Sequence, residues 1–293
     1  MEVIYKITKE DLYKMYIEKQ ISTKEIAKIY GCNTNTVRYR LNVFNIPMRQ
    51  KNGLFQEPYY IDGDFFKTWS HNMAWVVGYI TADGCVRKNK YEVKIKSIDY
   101  EMLEFVRQNL STNYQIKKEK GSNCYSISIY SKNIIDDLYK LGITDKKSLT
   151  IHLPSIPKEY FWSFLRGLID GDGHILPPFG KPKRIGFQIT GSYFILNSIM
   201  DILWKKFKMP RYKLNPQGKA ACLQIHGLWA YKIIDKVYNN SYYGLSRKKE
   251  MALKVMKVFE DKMKCIDCGE IMIFAHDVGA RKCKKCSCNR KTR

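Results

Sequence analysis

The chain has 293 residues, 45% of them apolar and 13% aromatic, which is enough to bury at least one sizeable core and build roughly two to four units, so a disordered chain is excluded. Lysine and arginine outnumber aspartate and glutamate by 51 to 28, and the net charge of +23 is spread along the sequence. That balance points to a polyanionic partner, nucleic acid ahead of a membrane surface or an acidic protein.

The amino-terminal stretch MEVIYKITKEDL lacks the apolar core of a signal peptide, and no apolar run reaches about 18 residues. The expectation is a soluble intracellular protein without a membrane partner, in the cytoplasm or nucleoid of its host or in an organelle. Residues 8–46 then carry three short helical patterns, TKEDLYKMYIEK, STKEIAKIYG and NTNTVRYRLNVF, with Ser22 or Thr23 and Asn33 or Thr34 as N-caps. The tight connection Gly31-Cys32-Asn33 makes the arrangement resemble a helix-turn-helix. In it Ile26, Ala27, Ile29, Val37 and Leu41 face inward, and Asn35, Thr36, Arg38, Tyr39 and Arg40 face outward towards base edges and phosphates. Residues 1–52 are therefore expected to form an all-α DNA-binding module, and residues 53–70, which mix proline, glycine and charge, a linker.

The most informative feature is an internal repeat, WVVGYITADGCV at 75–86 and FLRGLIDGDGHI at 164–175. Each copy is followed by an alternating strand, a helix, further strands, a second helix and a basic segment. Two αββαββα units are predicted, at 71–150 and 151–258, giving an α+β fold with two pseudo-symmetric halves. In each copy small residues stand four apart, Gly78 with Ala82 and Gly167 with Gly171, so the two helix backbones can approach closely. Val76, Tyr79, Ile80, Leu165, Leu168 and Ile169 then turn into the cores. Gly84 and Gly173 are expected to leave the helices in a left-handed conformation.

The second nonapeptide, Leu165 to Gly173 (LRGLIDGDG), resembles the motif of the LAGLIDADG homing endonucleases; Val76 to Gly84 (VVGYITADG) is a more diverged copy. The resemblance implies a monomer with a pseudo-two-fold active site in which Asp83 and Asp172 bind Mg²⁺ or Mn²⁺, with the backbone carbonyls of Ala82 and Gly171. Physics agrees: two carboxylates brought together at carbonyl ends of helices need a cation, and oxygen ligands suit Mg²⁺. Lys146 or Lys147 and Lys248 or Lys249, of which Lys146 and Lys248 are the first candidates, would neutralise charge as phosphodiester bonds break. Thr81 stands where many members of the family are acidic, a place Asp170 retains.

The strand patterns set Lys94, Lys96, Ser126, Ser128, Arg184, Gln188, Gln224 and His226 on polar faces opposite Val93, Ile95, Ile127, Ile129, Ile185, Phe187, Leu223 and Ile225. In the family such faces form a saddle over the major groove of double-stranded DNA, which makes Lys94, Lys96, Arg184, Gln188, Gln224 and His226 candidate base or phosphate contacts.

Residues 259–293 hold five of the nine cysteines. Cys265 and Cys268, then Cys283 and Cys286, form two C-x₂-C pairs suited to one tetrahedral Zn²⁺, and the segment resembles a zinc ribbon; Cys288 and His276 are spare ligands. Folded around zinc, this basic tail would clamp phosphates. The whole reads as a divalent-metal-dependent, site-specific DNA endonuclease that makes staggered breaks at a long asymmetric target, as in intron homing. The alternatives are an RNA maturase that binds intron RNA and a DNA-binding regulator that has lost catalysis on the same scaffold.

Overall fold

The computed structural model describes residues 7–49, 59–179, 184–239, 244–264, 268 and 269. The chain divides into two compact units, one of Met1–Thr68 with Cys85–Lys140 and one of Trp69–Gly84 with Leu141–Arg293.

The first unit opens with three short helices: α1 (Lys9–Tyr13), which runs on as a wider π turn over Lys14–Glu18, α2 (Thr23–Ile29) and α3 (Thr34–Val43). Local chemistry sets their starts. Ser22 and Glu25 make a reciprocal capping box on α2, and the Asn33 side chain accepts from the Asn35 N–H on α3. Gly31, at a φ of 62°, takes the left-handed turn between them. Ile7, Leu12, Tyr16, Ile26, Ala27, Val37, Leu41 and Ile46 form their own small core. Ile29, expected inside, is 61% exposed; it is the last residue of α2, just before the chain turns at Gly31.

The remainder of this unit is a four-stranded sheet in the order β1-β2-β4-β3, from β1 (Gly84–Arg87), β2 (Glu92–Ser97), β3 (Lys117–Lys118) and β4 (Tyr125–Tyr130), with α5 (Tyr100–Asn109) and α6 (Lys132–Lys140). β2 and β4 pair antiparallel with Val93 opposite Ile129 and Ile95 opposite Ile127. All four are fully buried, together with Leu103, Val106, Ile134 and Leu138 of the two helices. Alternation in the sequence thus becomes one apolar and one polar sheet face.

The second unit contains α4 (His71–Asp83), α7 (Phe161–Asp172), β5 (Gly173–Phe179), β6 (Arg184–Gly191), α8 (Tyr193–Phe207), β7 (Asn215–Gln217), β8 (Ala220–His226), α9 (Gly227–Tyr238) and α10 (Ser246–Met263). Its sheet has the order β5-β6-β8-β7, the same as the first. Phe187, Ile189, Leu223 and Ile225 pack inward with Ile195, Leu196, Ile199 and Ile233. Each repeat therefore runs helix, two strands, helix, two strands, helix, and α10 follows the second.

Candidate active site and nucleic-acid interface

α4 and α7 pack side by side at the spacing of their small residues. A Cβ added to Gly78 would lie 2.1 Å from the Phe164 carbonyl oxygen, and one on Gly167 would lie 2.0 Å from that of Trp75. No side chain fits in either place. One turn later a Cβ on Gly171 would meet the Ala82 methyl at 2.3 Å, so the close approach persists to the ends of both helices. The exits differ from expectation. Gly84 (φ −81°, ψ 134°) and Gly173 (φ −89°, ψ 157°) are extended, not left-handed. Glycine is needed there for space, since a Cβ would sit 2.6 Å from the carbonyl oxygens of Ile80 and Ile169 respectively.

Asp83 and Asp172 are the last residues of these helices. Their carboxylates reach solvent, yet dense protein surrounds them on the remaining sides. That desolvation pushes Asp83 up to about 6, reinforced by the negative charge of Asp172 and opposed by Lys248, a hydrogen bond to Tyr79 and Lys147. Asp172 is also raised by desolvation, against the pull of Lys147 and Lys248. Repulsion between the two is mutual, so whichever ionises first raises the other. The Asp83 oxygen faces Gly171, where an added Cβ would come within 3.3 Å. Two converging carboxylates beside a backbone without a side chain make an open oxygen donor set that fits a small divalent cation.

Two buried lysines close the back of this site. Lys248, near the start of α10 and 6% exposed, donates from Nζ to the carbonyl oxygens of Ile169, Asp170 and Gly173 at 2.7 Å each and of Gly171 at 3.2 Å. It thereby satisfies the free carbonyls at the end of α7 and counters the helix dipole. Burial lowers Lys248 to about 8, with Asp170, Asp83 and Asp172 holding its proton on and Arg247 acting against them. Lys147, 5% exposed, donates to the Gly84 carbonyl at 2.6 Å at the end of α4. Its neighbour Lys146 is exposed in a left-handed conformation, φ 55°; that backbone turn is what aims Lys147 inward.

Behind the site lies a buried polar hub. Asp170 Oδ2 accepts from Arg166 Nε at 2.7 Å, Trp75 Nε1 at 3.0 Å and the Leu245 N–H at 3.3 Å, while Oδ1 accepts from the Tyr238 hydroxyl at 3.3 Å. The Arg166 guanidinium lies 3.7 Å from the Tyr238 ring centre and donates to the Val237 carbonyl. Thr81, the counterpart of Asp170 in the first repeat, only returns to its own helix, donating to the Val77 carbonyl at 2.8 Å. The buried hub therefore belongs to the second repeat, while each lysine is held by main-chain carbonyls at its own helix end.

Of the candidate DNA contacts, Lys94 and Lys96 stand on the polar face of the first sheet, where both pair with Glu119. On the second sheet Gln188 and Gln224 are cross-strand partners joined at 2.8 Å, and His226 lies over Gly186. The side chain of Arg184 lies outside the described residues. Asn35 and Arg38 of α3 are exposed and Thr36 is half-buried. Arg40 is not on that outer face: it is 8% exposed, donates to the Ile7 carbonyl at 3.1 Å and stacks over Phe44. Tyr39 is half-buried, with desolvation and the neighbouring Tyr91 raising its hydroxyl to about 12. In a ten-residue helix lying on its own small core, position 40 falls one turn from Val37 and so shares its inward face. Cys265, Cys283, Cys286, Cys288 and His276 lie outside the described residues, and Cys268 by itself tests no zinc site.

Residues 70–142 match the family model described as a LAGLIDADG-like domain. A curated relative, the uncharacterized protein MJ1098 of Methanocaldococcus jannaschii, is 25% identical over 133 residues, 45% of this chain; the chain spans about half (48%) of the length of that relative. Similar solved structures include the LAGLIDADG meganuclease I-AabMI bound to uncleaved DNA (13% identity, TM-score 0.45, 71% of this chain and 96% of that one). I-SmaMI bound to an uncleaved DNA target with calcium ions is 16% identical (TM-score 0.47, 67% and 93%). The I-LtrWI homing endonuclease bound to target DNA is 12% identical (TM-score 0.45, 75% and 96%).

The LAGLIDADG-like match covers the more diverged first repeat, and the described residues carry an equivalent element order in the second. Sequence reasoning put Lys146 ahead of Lys147, whereas Lys147 is the buried one that reaches the helix end, and it did not single out Trp75, Arg166, Tyr238 or Glu119. An arginine four residues before an aspartate inside an otherwise apolar helix was the available signal for the hub. Among the described residues no helix is long and apolar enough to cross a membrane.

Proposed function

We propose that this chain is a divalent-metal-dependent, site-specific DNA endonuclease of the homing type, cutting both strands of a long asymmetric duplex as a monomer. The observation that carries the reading is the pairing of two solvent-reaching carboxylates, Asp83 and Asp172, at the ends of closely packed helices, each end backed by a buried lysine. Asp83 and Asp172, with the carbonyls of Ala82 and Gly171, would hold Mg²⁺ or Mn²⁺. Such a cation supplies Lewis acidity and a water of lowered pKa for phosphodiester hydrolysis.

The chain's own groups do the rest. Lys147 and Lys248 place fixed positive charge beside the carboxylates, where the phosphorane-like charge of in-line attack develops, and their carbonyl contacts keep them from swinging away. Lys94, Lys96, Gln188, Gln224 and His226 supply donors and acceptors for base edges, and Asn35, Thr36 and Arg38 extend the footprint from a helix-turn-helix at the amino terminus. The spacing of Cys265, Cys268, Cys283 and Cys286 supports a Zn²⁺-bound tail that adds phosphate contacts.

The test is to expose a randomised duplex library to the full chain, Asp83→Asn and Asp172→Asn, in Mg²⁺ and in chelator. Cutting at one long sequence that needs Mg²⁺ and both aspartates is the expected result. Tight duplex binding without scission would replace the nuclease by a regulator on this fold.

A further inference from the structure

On the polar face of the first sheet Lys96, Ser126 and Lys117 stand in one row across β2, β4 and β3, with Lys94 and Ser128 in the next. Glu119 follows two residues after Lys117, and its N–H donates to the Cys124 carbonyl at 2.9 Å. The ladder is thereby extended, and the period of two puts the glutamate on this same face. Its Oε1 takes Lys94 Nζ at 2.7 Å and its Oε2 takes Lys96 Nζ at 3.4 Å. The carboxylate opens into a recess of about 720 Å³, and among the described residues lining it Glu119 is the one acid beside Lys94, Lys117, Lys118 and Lys120.

A surface that only follows phosphates gains nothing from a carboxylate in its middle, because each anion there opposes the polyanion and returns a counterion. Base edges are different. In the major groove cytosine and adenine present exocyclic amino groups that need an acceptor, while neighbouring O6, O4 and N7 atoms need donors. Glu119 holds an acceptor between two ammonium donors at hydrogen-bond spacing. In a base pair the amino group and its partner oxygen are also about 2.9 Å apart, so an acceptor and donor 2.7 Å apart match them edge to edge. The ion pairs fix two long lysine chains in advance, removing part of the entropy cost of reading. Lys94 first, then Ser126 and Lys96, hold the carboxyl down at about 2, so it remains an obligate acceptor under all working conditions.

Building on the DNA-cleaving reading above, we propose that Glu119 is a specificity-determining residue that selects a base carrying a major-groove amino group, cytosine or adenine, at one position of the half-site under the first sheet. Lys94 and Lys96 donate to the acceptors beside it. The experiment is a binding selection from a randomised duplex library with the full chain in chelator, comparing wild type, Glu119→Gln and Glu119→Ala. Sequencing the retained pools reads each position, and also says whether the amino group belongs to cytosine or adenine.

The wild-type pool should hold one of these two bases at a position where both variants relax the preference by about fivefold or more, with the other positions unchanged. Glutamine, which can donate as well as accept, should admit guanine or thymine there. Equal preferences at every position in all three pools, with the variants merely binding more tightly, would overturn the proposal and leave Glu119 as an ion-pair partner. A wild-type pool with no sequence preference would overturn the site-specific DNA reading itself. Glu119 is partly exposed, and unchanged thermal unfolding of the variants checks that the fold is intact.

Discussion

The indole of Trp75 on α4 donates to the Asp170 carboxylate on α7 at 3.0 Å. A side chain of the first repeat is thus tied to the buried charge of the second, across the seam where the two helices approach at their glycines. The same oxygen receives Arg166 and the Leu245 N–H, and Leu245 precedes α10, whose Lys248 returns to the end of α7. The hub is a stability device with a positioning consequence. Asp170→Asn leaves the 1% exposed Arg166 without its countercharge and should destabilise the fold by about 3–5 kcal/mol. Trp75→Phe, which removes one of four donors, should cost about 1–3 kcal/mol. Denaturant unfolding measures both; a loss under about 0.5 kcal/mol for Asp170→Asn would refute the hub's role.

The seam should tolerate no added carbon. Gly78→Ala and Gly167→Ala each place a methyl near 2 Å from a carbonyl oxygen of the facing helix, and backbone cannot step aside as a side chain tip can. Each should cost about 3 kcal/mol or more and abolish cutting. Gly142→Ala, at a left-handed turn (φ 80°) with open space around its Cβ position, should cost only about 1–2 kcal/mol. Equal melting temperatures for the seam and turn variants would contradict the close approach.

The aspartates should weaken the metal-free protein at neutral pH. Asp83 titrates at about 6 instead of 3.8: the folded state binds this proton more tightly than the unfolded state. Its contribution is favourable at low pH, fades between about pH 4 and 6, and becomes a penalty above that. Because the carboxylate reaches solvent, screening reduces the penalty to about 1 kcal/mol. In chelator, Asp83→Asn should therefore melt about 2 °C higher than wild type near pH 8 and gain less near pH 5. Mg²⁺ should raise the wild-type melting temperature and leave the variant behind. A variant that melts lower than wild type at about pH 8 in chelator would show that the desolvation penalty is absent.

The two lysines of 146–147 should separate cleanly in kinetics. Lys147→Met and Lys248→Met remove buried cations beside the carboxylates and should slow single-turnover cleavage by about 10²–10³-fold. Lys146→Ala, on an exposed side chain, should leave the rate within about threefold. Comparable losses at 146 and 147 would place the charge requirement on the loop as a whole.

Arg38 and Arg40 should part in the same way at the amino terminus. Arg40→Ala removes the donor to the Ile7 carbonyl and a cation over Phe44, so helical content and melting of the first unit should fall, by about 1–2 kcal/mol. Arg38→Ala should leave stability unchanged and reduce the salt dependence of DNA affinity by about one counterion.

Much of the fold was legible because it rests on periodicity. Alternation at Val93 to Lys96 and Ile127 to Ile129 needs only a sheet with one dry face, and Gly78 with Ala82 and Gly167 with Gly171 need only a helix of 3.6 residues per turn. The same repetition sets an aspartate, Asp83 and Asp172, at the end of each of the two helices. The sequence by itself determined these elements, their order and the acidic end of each repeated helix, since each depends on residues close along the chain. Tertiary structure alone decided that Lys147 and not Lys146 turns inward, that Arg40 belongs to a core, that Gly84 and Gly173 serve space rather than handedness, and that Asp170 gathers Trp75, Arg166, Tyr238 and Leu245. Those outcomes depend on which distant group occupies a given volume and which free carbonyl or charge requires a partner there, and local spacing carries no record of either.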